Sequence, residues 1–244
     1  MNGKCISVKM KIENEKVKEK EITMNIKEAI LTRKSVRGFK DTPVSKEIIE
    51  DILKTGTRAV SANNTQPWEF AVLTGDVLKK IGEENVAAFV NGEEEDYGDA
   101  AFEGVYRQRL VGVAKQLFAA MDIKREDKEK RFWWMQRGFR FFDAPVAIIL
   151  YMDGGLDEKA CRFDMGCVAQ NICLAAMEHG LGTCVEYQAI MYQKALKKYL
   201  GLPEDKVFVA GIAMGYADED FPANDVTSER EDLENNTKWY GFED

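Results

Sequence analysis

Short apolar runs alternate along the chain with longer amphipathic stretches, and the two periods separate strands from helices. Pro145-Val146-Ala147-Ile148-Ile149-Leu150-Tyr151 and Val207-Phe208-Val209-Ala210-Gly211-Ile212-Ala213-Met214 are apolar at every position. Both have the length of a strand, and apolar residues at every position mark strands buried on two faces. Phe70-Ala71-Val72-Leu73 and the segment from Thr183 to Tyr187 are further strand candidates. Elsewhere the apolar spacing lengthens to that of a helix. Pro43 and Ser45 open one that carries Ile48, Ile49, Ile52 and Leu53 on one face and Gly56 near its end. A short helix is predicted from Asn25, with Glu28 three residues on as in a capping box, through Leu31. Others are predicted from Asp76 to about Glu83, and from about Ile190 to Leu200 with Gly201 and Pro203 as stops. The stretch from about Ala160 to Glu178 is apolar nearly all round in its middle, which predicts burial on several sides, in a central helix or at a subunit interface.

Residues 85–142 break this rhythm and read as a helical insertion. Gly92-Glu93-Glu94-Glu95-Asp96 is an acidic loop, followed by helical stretches from about Phe102 to Ala120 and from about Asp127 to Phe139. The second stretch carries Phe132, Trp133 and Trp134, which either line a pocket or pack in the core. Residues 1–23 are polar, with Ile6, Val8, Met10 and Ile12 alternating, and read as an extension ahead of patterned sequence that begins at Met24. From Asp218 the chain reads as polar and extended. One domain over residues 24–244, with helices between short strands, predicts an α+β or α/β class with a mainly antiparallel or mixed sheet.

Charge and rare residues narrow the chemistry. With 42 acids, 34 bases and a net charge of −8, general nucleic-acid binding is disfavoured. His179 is the only histidine, which excludes a histidine-rich metal site. Before Gly180, at a predicted helix end, it reads as a partner of the helix dipole. Cys5, Cys161, Cys167, Cys173 and Cys184 form no Cys-x-x-Cys pair and read as free thiols in a reducing cytosol. No apolar run approaches the ~18 residues of a membrane span, and the N-terminus lacks a hydrophobic signal core. The expectation is a cytoplasmic protein without membrane or nucleic-acid partners.

Three segments carry candidate chemistry. Arg33-Lys34-Ser35-Val36-Arg37 offers forked guanidinium donors and a hydroxyl suited to phosphate oxygens. Ser61-Ala62-Asn63-Asn64-Thr65-Gln66-Pro67-Trp68 gathers hydroxyls and amides. Asn64 and Gln66 each offer a donor and an acceptor, as the edge of a planar heterocycle requires. Between Asp218 and Glu234 stand eight acids and a single base, Arg230, which either pairs with its neighbours or meets an anion elsewhere.

Together with Gly180-Leu181-Gly182-Thr183 and Ser228-Glu229-Arg230, these segments resemble the nitroreductase family of FMN-dependent oxidoreductases, over about Met24 to the C-terminus. The resemblance implies an α+β sandwich with a central, mainly antiparallel sheet flanked by helices, and a helical insertion over the active site. It also implies a homodimer with FMN at the subunit interface. By resemblance Arg33, Ser35 and Arg230 are phosphate ligands, with Lys34 beside them, and Arg37 is the cation next to flavin N1 and O2. Ser61, Asn64 and Gln66 resemble the loop that meets the ribityl chain and the pyrimidine edge. Gly182, Thr183, Val185 and Glu186 lie on the segment that resembles the strand near flavin N5. Hydride would pass from NADH or NADPH to N5 and then to an electron-poor acceptor, a nitroaromatic or quinone, by ping-pong exchange at one site. No side chain need act as nucleophile or general base, and no metal is implied. Enoate reduction, dehalogenation, flavin reduction and a non-catalytic flavin-binding role are the other chemistries such a site accommodates.

Overall fold

The computed structural model describes residues 25–97 and 101–242. The alternation at Ile6–Ile12, the start at Met24 and Cys5 lie outside the described residues. Four strands form one antiparallel sheet: β1 (Glu69–Thr74), β2 (Val146–Asp153), β3 (Gly182–Glu186) and β4 (Lys206–Gly215), in the order β1-β2-β4-β3. The two fully apolar runs, β2 and β4, take the centre, and helices cover both faces. Along β2 the pleat sends Val146, Ile148, Leu150 and Met152 into one cluster and Ala147, Ile149 and Tyr151 into the other. Each large aliphatic side chain removed from water in this way contributes roughly 1.5–3 kcal/mol before the entropy cost of ordering it.

The first cluster lies under α2 (Lys46–Gly56) and α6 (Glu158–Glu178). Ser45 caps α2 by accepting from the Ile48 amide, 3.4 Å. Gly56 lets the two helices approach so closely that a Cβ there would stand 2.6 Å from Ile172 Cγ1. α6 buries Cys161, Met165, Val168, Ile172 and Ala176 as one stripe. α6 packs against α2, against β3 and β4 of the sheet and against α1 (Ile26–Thr32), so the expected burial on several sides is met, with Phe163, 71% exposed, on the remaining face. His179 caps α6 and its Nε2 lies 3.0 Å from Asp51 Oδ2, with Gly180 left-handed behind it, the structural role its position predicts.

The second cluster lies under α3 (Gly75–Asn91) and the segment from Ala189 to Leu202. Here two boundaries differ from expectation. α3 continues past Glu83 to Asn91, because Leu78, Ile81, Asn85 and Ala88 keep one buried stripe and no breaker intervenes before Gly92. Its N-cap is Thr74, with Asp76 inside the first turn. The single helix expected over 190–200 is two, α7 (Gln188–Met191) and α8 (Gln193–Leu200), parted at Tyr192. Asp96 of the acidic loop makes that break: its carboxylate accepts from the Gln193 amide, 2.8 Å, and its amide donates to the Met191 carbonyl, 2.9 Å. A cap supplied from a distant loop leaves no local signal.

The insertion contains α4 (Gly104–Ala120) and α5 (Lys128–Phe139), the latter capped by Asp127. The tail is extended except for 3-10 residues 222–225 and a short α9 (Leu233–Asn236). Among the described residues no helix is long and apolar enough to cross a membrane.

Candidate functional site

The segment Arg33–Gly38 leaves α1 (Ile26–Thr32) and runs along the free edge of β3. The Val36 amide donates to the Thr183 carbonyl, 2.9 Å, and Ser35 pairs with Thr183 in a parallel bridge. Gly182 makes this docking possible, since a Cβ there would lie 2.5 Å from Val36 Cγ2. The segment that carries Arg33, Lys34, Ser35 and Arg37 is thus laid beside the strand that carries Gly182, Thr183, Val185 and Glu186.

The electrostatics are those of a ligand site. In a chain with more acids than bases, none of Arg33, Lys34 and Arg37 has an ion-pair partner among the described residues, where the Arg37 guanidinium donates only a 3.4 Å bond to the Ser35 carbonyl. Glu186 is buried at the end of β3, and neither of its carboxyl oxygens has a hydrogen-bond partner. Burial holds that carboxyl well above the usual carboxylate range, and the Arg37 charge pulls it back only in part. Cys184 is pushed up to about 12 by burial, so it is an inert thiol. Cys173 is likewise raised by burial, with the Thr183 hydroxyl and the Arg33 charge acting against the shift. Unpaired cations beside an unsatisfied buried carboxyl fit an anionic ligand with a polar head group.

Sequence reasoning missed Asn224. Buried in the 222–225 turn, its Oδ1 accepts from the Arg37 amide, 2.7 Å, and from the Gly38 amide, 3.1 Å. Its Nδ2 donates to the Gly38 carbonyl, 2.8 Å, and to the Asp218 carbonyl, 2.9 Å. An asparagine in an acidic tail carries no visible mark of this role.

Two other predicted elements are set apart. Ser61–Gln66 forms an exposed turn with Asn63, Asn64 and Gln66 at positive φ (49°, 59° and 48°). The Ser61 hydroxyl accepts from the Gln66 amide, 3.1 Å, and the Ala62 amide donates to buried Asp164 on α6, 3.1 Å. Asp164 and Cys173, which senses Arg33, are nine residues apart on α6, roughly 13 Å at 1.5 Å per residue. No hydrogen bond or ion pair joins Ser61, Asn64 or Gln66 to Arg33–Arg37 among the described residues. Arg230 lies on the exposed tail and donates to the Ser228 carbonyl, 3.0 Å, and hydroxyl, 2.9 Å. Of the insertion aromatics, Phe132 stacks on Phe89 at 5.4 Å, whereas Trp133 lies beside Arg137, 5.4 Å from ring centre to guanidinium.

The nitroreductase family model matches residues 30–216, so the chain belongs to the nitroreductase family. Among its relatives, a nitrobenzene nitroreductase of Ectopseudomonas oleovorans is 38% identical, covering 86% of this chain and 94% of that protein. A chloronitrobenzene nitroreductase of Comamonas testosteroni is 36% identical over the same shares. The crystal structure of an FMN- and NADPH-dependent nitroreductase, NfnB, from a Sphingopyxis strain superposes with a TM-score of 0.85 at 32% identity, covering 90% of this chain and 100% of that one.

Proposed function

We propose that this protein is an FMN-dependent nitroreductase that takes electrons from NADPH or NADH and passes them to small nitroaromatic acceptors. The observation that carries the reading is the set of cations that have no acid partner among the described residues, Arg33, Lys34 and Arg37, held along β3, whose buried Glu186 carboxyl likewise has no hydrogen-bond partner there. The NfnB structure supports it by its description as FMN- and NADPH-dependent, and the relatives by their nitrobenzene and chloronitrobenzene substrates. Bound FMN would supply the two-electron chemistry, accepting hydride from the nicotinamide and delivering it to the acceptor.

The protein's own groups bind and orient. Arg33 and Ser35, with Arg230, would neutralise the phosphate, the guanidinium forks matching its oxygens. Arg37 would sit by the pyrimidine edge, where its charge favours the reduced, anionic cofactor. Burial favours the neutral form of Glu186, which would act there as a hydrogen-bond donor. Gly182, Thr183 and Val185 would bring the β3 backbone close to the ring, and Ser61, Asn64 and Gln66 would close the polar edge. The helical insertion read over about residues 85–142 would exclude water above it.

We also infer a homodimer. Ile26, Ile30 and Leu31 on α1, Phe163 on α6, and Trp239, Tyr240 and Phe242 on the tail are exposed apolar groups, a larger burden than a monomer ordinarily carries. A second copy would cover them and bring Ser61–Gln66 to the cation segment of its partner. The buried free thiols Cys161, Cys173 and Cys184 suit a reducing cytosol. The test is anaerobic stopped-flow mixing of the FMN-loaded protein with NADPH or NADH, then with nitrobenzene. Rapid bleaching and recovery of the flavin absorbance are expected, and failure of both donors would sink the reading.

A further inference from the structure

Arg137 is a buried guanidinium on α5 whose location stability alone does not explain. Its Nη1 donates to Asp143 Oδ2, 2.8 Å, and its Nη2 to the carbonyls of Phe142, 3.0 Å, and Arg37, 2.9 Å. Its plane stacks on Phe221 at 4.7 Å, and its Nε has no partner. Its one acid partner, Asp143, is 45% exposed at the side chain and shared with Arg140. Taking a guanidinium out of water costs several kcal/mol, and an apolar residue of similar volume often serves stability as well or better. The acceptors it reaches are themselves unusual. Phe141, Phe142 and Asp143 form three consecutive non-glycine residues at positive φ (56°, 53° and 58°), a conformation that costs roughly 1–2 kcal/mol per residue.

The Arg37–Gly38 peptide is therefore held at both ends by side chains from distant elements. Its carbonyl accepts from Arg137 on the insertion, and its amide donates to Asn224 in the tail. Phe221 fills the space that a Cβ on Gly38 would need, 2.1 Å away, and carries the Arg137 guanidinium on its ring. The Arg37 side chain makes no ion pair among the described residues and one long bond, 3.4 Å, to the Ser35 carbonyl, so its direction follows largely from this backbone.

We propose that Arg137 is a positioning residue that fixes Arg37 for its role beside the cofactor, and so ties the insertion helix α5 to the electronic properties of the flavin. A planar fork can satisfy three acceptors on two segments at once, where an ammonium or an amide reaches fewer. The inference rests on the FMN reading above, and the experiment separates the two.

The midpoint potential of bound FMN is measured anaerobically against a reference dye in wild type, Arg137→Gln, Asp143→Asn, Arg37→Ala and the Arg37→Ala/Arg137→Gln double variant. Arg137→Gln is expected to cut the preference for reduced over oxidised FMN about tenfold, which for a two-electron couple is a potential about 30 mV lower. On the Arg37→Ala background it should add no further shift, because its action runs through Arg37. Asp143→Asn should move the potential by less, since it leaves the bond to the Arg37 carbonyl in place. If Arg137→Gln does not fold, Arg137→Lys takes its place and is expected to shift the potential in the same direction by about threefold in that ratio. An unchanged potential, or an equal shift on the Arg37→Ala background, overturns the inference while leaving the FMN reading intact. A wild-type protein that takes up no FMN overturns both.

Discussion

The segments proposed to hold FMN are built in opposite ways. Arg33–Gly38 is laid along β3, pinned by the Val36–Thr183 bond, the Gly182 gap, Asn224 and Arg137. Ser61–Gln66 and Arg230 stand outside, the first tied to the body by the carboxylate of Asp164, the second by bonds to its own neighbours. In the proposed site the cation half is thus preformed within one chain, whereas the amide half is presented outward. If one ligand takes both, as proposed, a second copy would bring them together, and the exposed apolar residues of α1, α6 and the tail are the surface proposed for it.

Breaking the preformed half should have the largest effect. Gly182→Val has the β-propensity of a strand residue, yet it drives a side chain into Val36. We expect a loss of roughly 1–3 kcal/mol in stability by overpacking, read by thermal or urea denaturation, together with loss of FMN uptake. Unchanged stability would mean that the segment is not docked on β3. Arg230→Ala tests the outward half. Because its bonds are local and exposed, stability should stay within ~0.5 kcal/mol of wild type. FMN affinity should fall by at least ~1.5 kcal/mol, about tenfold, as a charge-assisted bond is lost. A titration with unchanged affinity would remove Arg230 from the site.

The smallest and most specific effect is a pH dependence. The folded apoprotein holds the Glu186 carboxyl above its ordinary value of 4.5, chiefly through burial. The unfolded chain releases that proton first, so the stability tied to the neutral acid is fully present below the ordinary carboxylate range. It is lost as pH rises toward the raised folded value. Glu186→Gln should therefore match wild type in acid and become the more stable of the two apoproteins as pH increases, followed by melting curves across that range. Parallel curves at every pH would show that Glu186 is ionised in the fold.

Much of this was legible in the sequence because it is local. The apolar runs of β2 and β4 predict central strands, Ser45 and Asn25 predict caps, and Arg33–Arg37 and Gly182–Thr183 are contiguous motifs that the fold brings together. What was not legible is non-local. Asp96 splits α7 from α8 across the acidic loop, α3 runs on because Asn85 and Ala88 extend its buried stripe, and Asn224 and Arg137 grip Arg37 from far along the chain. None of these residues is distinctive as a type, and only the fold shows what each one touches.

The central claim is that an FMN site assembles from two copies of this chain. Size-exclusion chromatography with light scattering and flavin absorbance tests it most directly. The flavin band is expected to elute with a species of twice the 27.7 kDa chain mass. A stable monomer that retains its flavin, or a dimer that stays colourless after incubation with FMN, would contradict it.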